Sequence, residues 1–308
     1  MALLSVFNQL IRRDLLRCGV LSKTIEIGGS KVHYYDAPGK HHRPPTLLVH
    51  GFGDSANTWY QTLVPLARAL GRVVALDYPG VGFSTLPPGR DFMTLPELVD
   101  TIEYFARNVL GEPALLVGHS LGGALALRMA ARQGAAQGAA KKSPRELPLW
   151  EGVLAISPAG AQLNEAQWHA LRQSFEVPDR AATRALLARL FSSSPWSLWL
   201  VENDVRALFR SPAVRKLFES LHPDDFLKPQ ELAQIAIPCL ILWGTEERLL
   251  PAELVEYYRR NLPTHGVLEV VKGWPHASQM EHPTEVAEHI TRFARSLSRA
   301  AVHKTPVA

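Results

Sequence analysis

Residues 114–125 read Ala114-Leu115-Leu116-Val117-Gly118-His119-Ser120-Leu121-Gly122-Gly123-Ala124-Leu125. The opening apolar run suits a strand buried on both faces of a parallel sheet. The residues from 121 to 132 are rich in Ala and Leu, which favour a helix. Between the two, Gly118-His119-Ser120-Leu121-Gly122 matches G-x-S-x-G. Glycine and serine are common, so the motif alone says little. Its setting says more: a strand–serine–helix turn lifts a hydroxyl clear of the sheet. The glycines are needed because the turn is tight and backbones pass close by. The N-terminus of the following helix adds a favourable field for an oxyanion.

The same alternation extends outward in both directions. Residues 24–27 and 32–35 predict a hairpin around Gly28-Gly29-Ser30. Apolar runs at 46–50, 73–77, 153–157, 239–243 and 267–271 predict further buried strands. Helical patterns fall at 56–69, 95–110, 252–261 and 284–298. An antiparallel start followed by alternating units predicts an α/β fold: a mostly parallel, eight-stranded sheet with helices on both faces. Two segments break the rhythm. Residues 133–147 are rich in Ala, Gly and Gln and suggest a flexible surface insertion. Residues 164–230 carry only helical patterns, predicting a helical cap inserted into the sheet domain. The expected organisation is an amphipathic segment (1–22), a core in two parts (23–158 and 231–300), the cap (159–230) and a tail (301–308).

A serine hydroxyl is a weak nucleophile unless a base lies in hydrogen-bond reach and a carboxylate orients that base. Beside a nucleophile elbow the chain order is serine, acid, histidine. His276 follows the last strand in Gly273-Trp274-Pro275-His276, which would set its imidazole above the sheet. The acid should follow the preceding strand, where Gly244-Thr245-Glu246-Glu247-Arg248-Leu249-Leu250-Pro251 offers two competing glutamates. Glu247 is preferred over Glu246. An oxyanion hole needs two backbone N–H donors. Leu121 supplies one, and Phe52, in His50-Gly51-Phe52-Gly53-Asp54, the other. His119 is expected to pack beside the nucleophile, and Asp77 to tie down the turn 77–84. The cap residues Trp168, Phe175, Phe191, Trp196 and Trp199 are candidates for lining an apolar substrate pocket.

With these motifs in order, the chain resembles the α/β-hydrolase superfamily over about 32–297. It looks most like the capped bacterial esterase and lipase branch, whose acid loop commonly reads Trp-Gly-x-x-Asp-Arg-x-x-Pro. Aligned on Trp243, Gly244, Arg248 and Pro251, the family's aspartate falls on Glu247, one methylene longer. The resemblance implies a serine hydrolase of carboxylic esters, with a small ester or acyl substrate and no cofactor. Ser120 argues against the dehalogenases and epoxide hydrolases, which use an Asp nucleophile. C–C bond hydrolases of the meta-cleavage type share a Ser-Asp-His set and are the nearest alternative. A non-catalytic, ligand-binding relative and acyl transfer to another alcohol are two more.

Composition sets the remaining bounds. The chain has 308 residues, 46% hydrophobic and 20% charged, with net charge +4 and no long basic run, so a nucleic-acid partner is not expected. Cys18 and Cys239 form no disulfide framework or metal-ligand spacing, which favours a reducing, cytoplasmic setting. Leu3, Leu4, Phe7, Leu10, Ile11 and Leu15 recur at helical spacing near Arg12, Arg13 and Arg17. That pattern predicts a helix packed on the domain, with a peripheral membrane contact through residues 1–21 as the sharper reading. It lacks the marks of a signal peptide.

Overall fold

The structure, a computed structural model, describes residues 2–139, 148–193 and 198–302. Eight strands form one sheet: β1 (Leu21–Ile27), β2 (Ser30–Ala37), β3 (Thr46–Val49), β4 (Val73–Leu76), β5 (Ala114–His119), β6 (Trp150–Ile156), β7 (Cys239–Gly244) and β8 (Val267–Val271). Their spatial order is β1-β2-β4-β3-β5-β6-β7-β8. The pairs β1–β2 and β2–β4 are antiparallel, and every later pair is parallel.

Side chains alternate between two cores, as the strand period of two requires. On one face lie Leu47, Val49, Leu116, Val153 and Ile241. They meet α3 (Leu95–Phe105), α4 (Leu121–Ala139) and α10 (Glu253–Asn261). On the other lie Leu48, Val117, Leu154 and Leu242, against α1 (Ala2–Arg17), α2 (Tyr60–Leu70) and α12 (Pro283–Val302). Both faces of the central strands are therefore dry, which is why those strands read as unbroken apolar runs.

Between β6 and β7 the described residues include the helices α5 (Glu165–Phe175), α6 (Arg180–Leu190), α7 (Leu198–Phe209) and α8 (Pro212–Ser220). Short turns α9 (Pro229–Leu232) and α11 (Ser278–Glu281) complete the set. Asn164 and Asp179 cap α5 and α6 by accepting the N–H groups of Gln167 and Ala182. β6 and β7 are themselves neighbours in the sheet, so the helical segment between them leaves and re-enters through one gap.

Three local expectations change. Residues 133–139, read as part of an insertion, extend α4. The Gln133 amide holds that extension by accepting from Leu149 and Trp150 N–H and donating to the Trp150 carbonyl. Residues 140–147, the rest of the expected insertion, lie outside the described residues. β8, read as buried on both faces, is the sheet edge and leaves Val267 and Val270 exposed. The helix expected over 95–110 ends in a wider π-type turn over Ala106–Leu110.

Candidate active site

The site collects at the C-terminal ends of β3, β5, β7 and β8. Ser120 follows β5 directly, with φ of 53°, in the left-handed region that a side chain rarely adopts. Its N–H donates to the Ile156 carbonyl at 2.9 Å, and its own carbonyl accepts from Ala124 and Ala159. These bonds on both sides hold the strained residue in place. At Gly122 a Cβ would collide with the Val49 and His50 carbonyls, so only glycine lets α4 start this close to β3.

Gly51 passes just as near the serine. A Cβ there would sit 3.3 Å from Ser120 Cβ and 3.1 Å from His119 Nδ1. The Gly51 carbonyl accepts the Tyr78 hydroxyl at 2.7 Å and His50 Nδ1–H at 2.8 Å. Burial keeps both donors in the right form: it pushes the Tyr78 phenol well above its ordinary range, helped by Asp54 and Asp77, and lowers His50. In a trans peptide the N–H lies opposite the carbonyl. Pinning the Gly51 oxygen on Tyr78 therefore fixes the direction of the Phe52 N–H, away from Tyr78.

Downstream, His276 Nδ1 faces Glu247 Oε2 at 2.7 Å. The other oxygen, Oε1, accepts Leu249 N–H at 2.8 Å and Leu250 N–H at 3.0 Å. Burial would raise this carboxyl, but His276 and the two N–H groups outweigh it and hold Glu247 below the usual range. The longer side chain is accommodated within its own loop, where Oε1 closes the turn while Oε2 reaches the imidazole. Glu246 points elsewhere. Its side chain is 40% exposed and pairs with Arg248, whereas the Glu247 side chain is 2% exposed.

His119 joins the two halves of the site. Its Nε2 lies 2.8 Å from the His276 carbonyl, and a carbonyl only accepts, so Nε2 carries the proton. Nδ1 then accepts from the Gln279 amide at 3.2 Å, and that amide also donates to Thr58 Oγ1. Burial, with His276 alongside, pushes His119 down to about 3. It is neutral and has both nitrogens occupied, which suits a brace rather than a base. Asp77 likewise serves the loops, accepting from Ala56 N–H, Phe83 N–H and His33.

Above Ser120 opens an apolar cleft. Ser120, Leu121 and Phe52 form its floor, and Trp168, Leu171 and Phe175 lie along its wall. Phe218 and Phe226, which the sequence reading passed over, line it too. Phe52 meets Phe175 and Phe218 at ring distances of 5.3 and 5.2 Å, so the loop at the floor and the cap share one aromatic cluster. Arg128 brings one cation to the cleft and donates to the Asp225 carbonyl.

Phe191 is not among the lining residues; it follows α6, next to Leu190, whose carbonyl accepts Ala277 N–H. Trp196 lies outside the described residues, as does the side chain of Trp199. Cys239 is buried, and that burial pushes its thiol up to about 12.

A family profile described as "Alpha/beta hydrolase family" matches residues 46–289. The uncharacterized hydrolase YugF of Bacillus subtilis strain 168 is 24% identical over 87% of this chain and 96% of its own length. Two solved structures share the fold. The carboxylesterase CesB of Bacillus subtilis has a TM-score of 0.69 at 21% identity, covering 93% of this chain and 96% of its own. The 2-hydroxy-6-oxo-6-phenylhexa-2,4-dienoate hydrolase of Rhodococcus sp. strain RHA1 has a TM-score of 0.71 at 20% identity, covering 90% and 99%.

Proposed function

The chain belongs to the alpha/beta hydrolase family, and from that premise we propose that it hydrolyses carboxylic esters through an acyl-enzyme on Ser120. The observation that carries this reading is the buried 2.7 Å pair of His276 Nδ1 and Glu247 Oε2 against the serine elbow, beneath an apolar cleft. With Nδ1–H given to the carboxylate, His276 Nε2 has a free lone pair. It takes the Ser120 proton as Oγ attacks the ester carbonyl carbon. The N–H groups of Leu121 and Phe52 receive the developing oxyanion, each worth about 2.7–4 kcal/mol. As the C–O bond breaks, His276 passes its proton to the leaving alcohol. Water then enters, His276 takes one of its protons, and the acid is released as Ser120 is re-formed.

Esters of p-nitrophenol with rising acyl length test this directly. Each methylene that enters an apolar cleft contributes about 0.8 kcal/mol. Hence kcat/KM should climb by up to about four-fold per carbon until the cleft is full. A flat series would take the acyl chain out of the cleft, and turnover of a ring-cleavage dienoate but no ester would replace this reading with C–C bond hydrolysis.

Tyr78 is a positioning residue in this scheme, since it holds the Gly51–Phe52 peptide. Loss of a whole oxyanion donor costs about 10²–10³ in kcat. Tyr78→Phe leaves the donor but loosens it, so kcat should fall by roughly ten- to a hundred-fold with KM within two-fold. A rise in KM at constant kcat would mean that Tyr78 acts on substrate binding instead.

A further inference from the structure

α1 is docked by one face only. Leu15 is buried in the core beneath α2, and Asn8 accepts from the Asn57 amide at 3.0 Å. Asp14 accepts the Tyr60 hydroxyl at 2.5 Å, and Leu4 N–H donates to Asp204 of α7 at 2.7 Å. These contacts fix the helix firmly on the domain. The opposite face should then be polar. It is not. The four most exposed large apolar side chains among the described residues are Val6 at 56%, Phe7 and Leu10 at 55% and Leu3 at 54%. Positions 3, 6, 7 and 10 share one side of a helix. Arg13 and Arg17, both exposed, continue that stripe by one and two further turns. The nearest carboxylate of the helix, Asp14, is engaged by Tyr60.

We propose that this face docks α1 flat on an anionic phospholipid surface, with Leu3, Val6, Phe7 and Leu10 entering the acyl boundary and Arg13 and Arg17 meeting lipid phosphates. Charge chooses this occupant. An apolar stripe followed by two arginines on the same face, with no free carboxylate among them, complements a negative headgroup layer above hydrocarbon. A groove on a protein partner or a second copy would need acidic side chains for those arginines. Attachment would be peripheral, because among the described residues no helix is long and apolar enough to cross a membrane. The inference does not depend on the chemistry at Ser120.

Flotation of the full chain with vesicles tests it. Vesicles of phosphatidylcholine with 30% phosphatidylglycerol should carry the protein, and pure phosphatidylcholine vesicles should carry far less. Phe7→Gln/Leu10→Gln should weaken partition at least ten-fold. Each arginine near an anionic surface contributes roughly a five-fold factor, so Arg13→Gln/Arg17→Gln should lose about 25-fold on anionic vesicles and little on neutral ones. Raising salt should mimic the second variant. Thermal midpoints within two degrees of the parent would show that both variants fold; if the glutamine pair does not, Phe7→Ser alone replaces it. Absence of flotation, or equal flotation of parent and Phe7→Gln/Leu10→Gln, overturns the proposal. So does a parent dimer in solution that this variant converts to monomer, since the stripe would then be a self-interface.

Discussion

Ser120→Ala is expected to remove about 10⁴- to 10⁶-fold of kcat on any ester the parent turns over, with the fold intact. The loss is large because no other group near the elbow can replace the hydroxyl. His119 is committed to Gln279 and the His276 carbonyl, and Cys239 lies buried within β7. The same position carries a second expectation of opposite sign. Ser120 adopts a φ of 53°, a conformation that costs about 1–3 kcal/mol for a residue with a Cβ. Ser120→Gly should relieve part of that and raise the thermal midpoint by a few degrees above that of Ser120→Ala. Steady-state kinetics, labelling by a fluorophosphonate probe and thermal melts of the two variants check all of this. Retention of more than about one per cent of kcat in Ser120→Ala would remove the serine from the mechanism.

Glu247→Gln should lower kcat by about 10³- to 10⁴-fold, while Glu246→Gln should stay within two-fold of the parent. The contrast follows from the proton inventory. Oε1 of Glu247 accepts two backbone N–H groups, so an amide at this position must keep its oxygen there. The NH₂ is then forced onto His276 Nδ1, 2.7 Å away in the parent. Nδ1 must become the acceptor and Nε2 must carry the proton, the tautomer that cannot take a proton from Ser120. Replacement of an acid by its amide in a serine–histidine–acid triad costs about 10⁴ for this reason. Glu246 pairs with Arg248 at the surface, where neutralisation changes little. Comparable small losses in both variants would assign the orienting acid to a third carboxylate.

The elbow is legible in the sequence because its chemistry demands fixed residue types at fixed spacing. The strand–Ser120–helix context follows from the unbroken apolar run before the serine and the Ala- and Leu-rich stretch after it. The loop after β7 offers two glutamates, and the preference for Glu247 is supported by the resemblance to the family's acid loop; the structure adds how the two differ: Glu247 meets His276, and Glu246 faces solvent. Other parts are silent in one chain. Tyr78 reads as a turn residue, since nothing local announces that its hydroxyl meets a carbonyl 27 positions away. The cleft is harder still. An apolar face at helical spacing tells that a side chain is buried, not against what. Hence Phe191 reads like Trp168 and Phe175 yet stands off the cleft, while Phe218 and Phe226 line it. β8 has the composition of a central strand and the position of an edge, because strand order is a property of the whole sheet.

The bond from His119 to the His276 carbonyl spans 157 residues and bridges the middle of the sheet and its last strands. That separation has a consequence during synthesis. A ribosome adds roughly 5–20 residues per second. The elbow therefore leaves the ribosome roughly 8–30 seconds before its histidine does. On the proposed mechanism the serine has no base throughout that interval, and an unfinished chain should be chemically silent towards esters until the C-terminal quarter of the protein arrives.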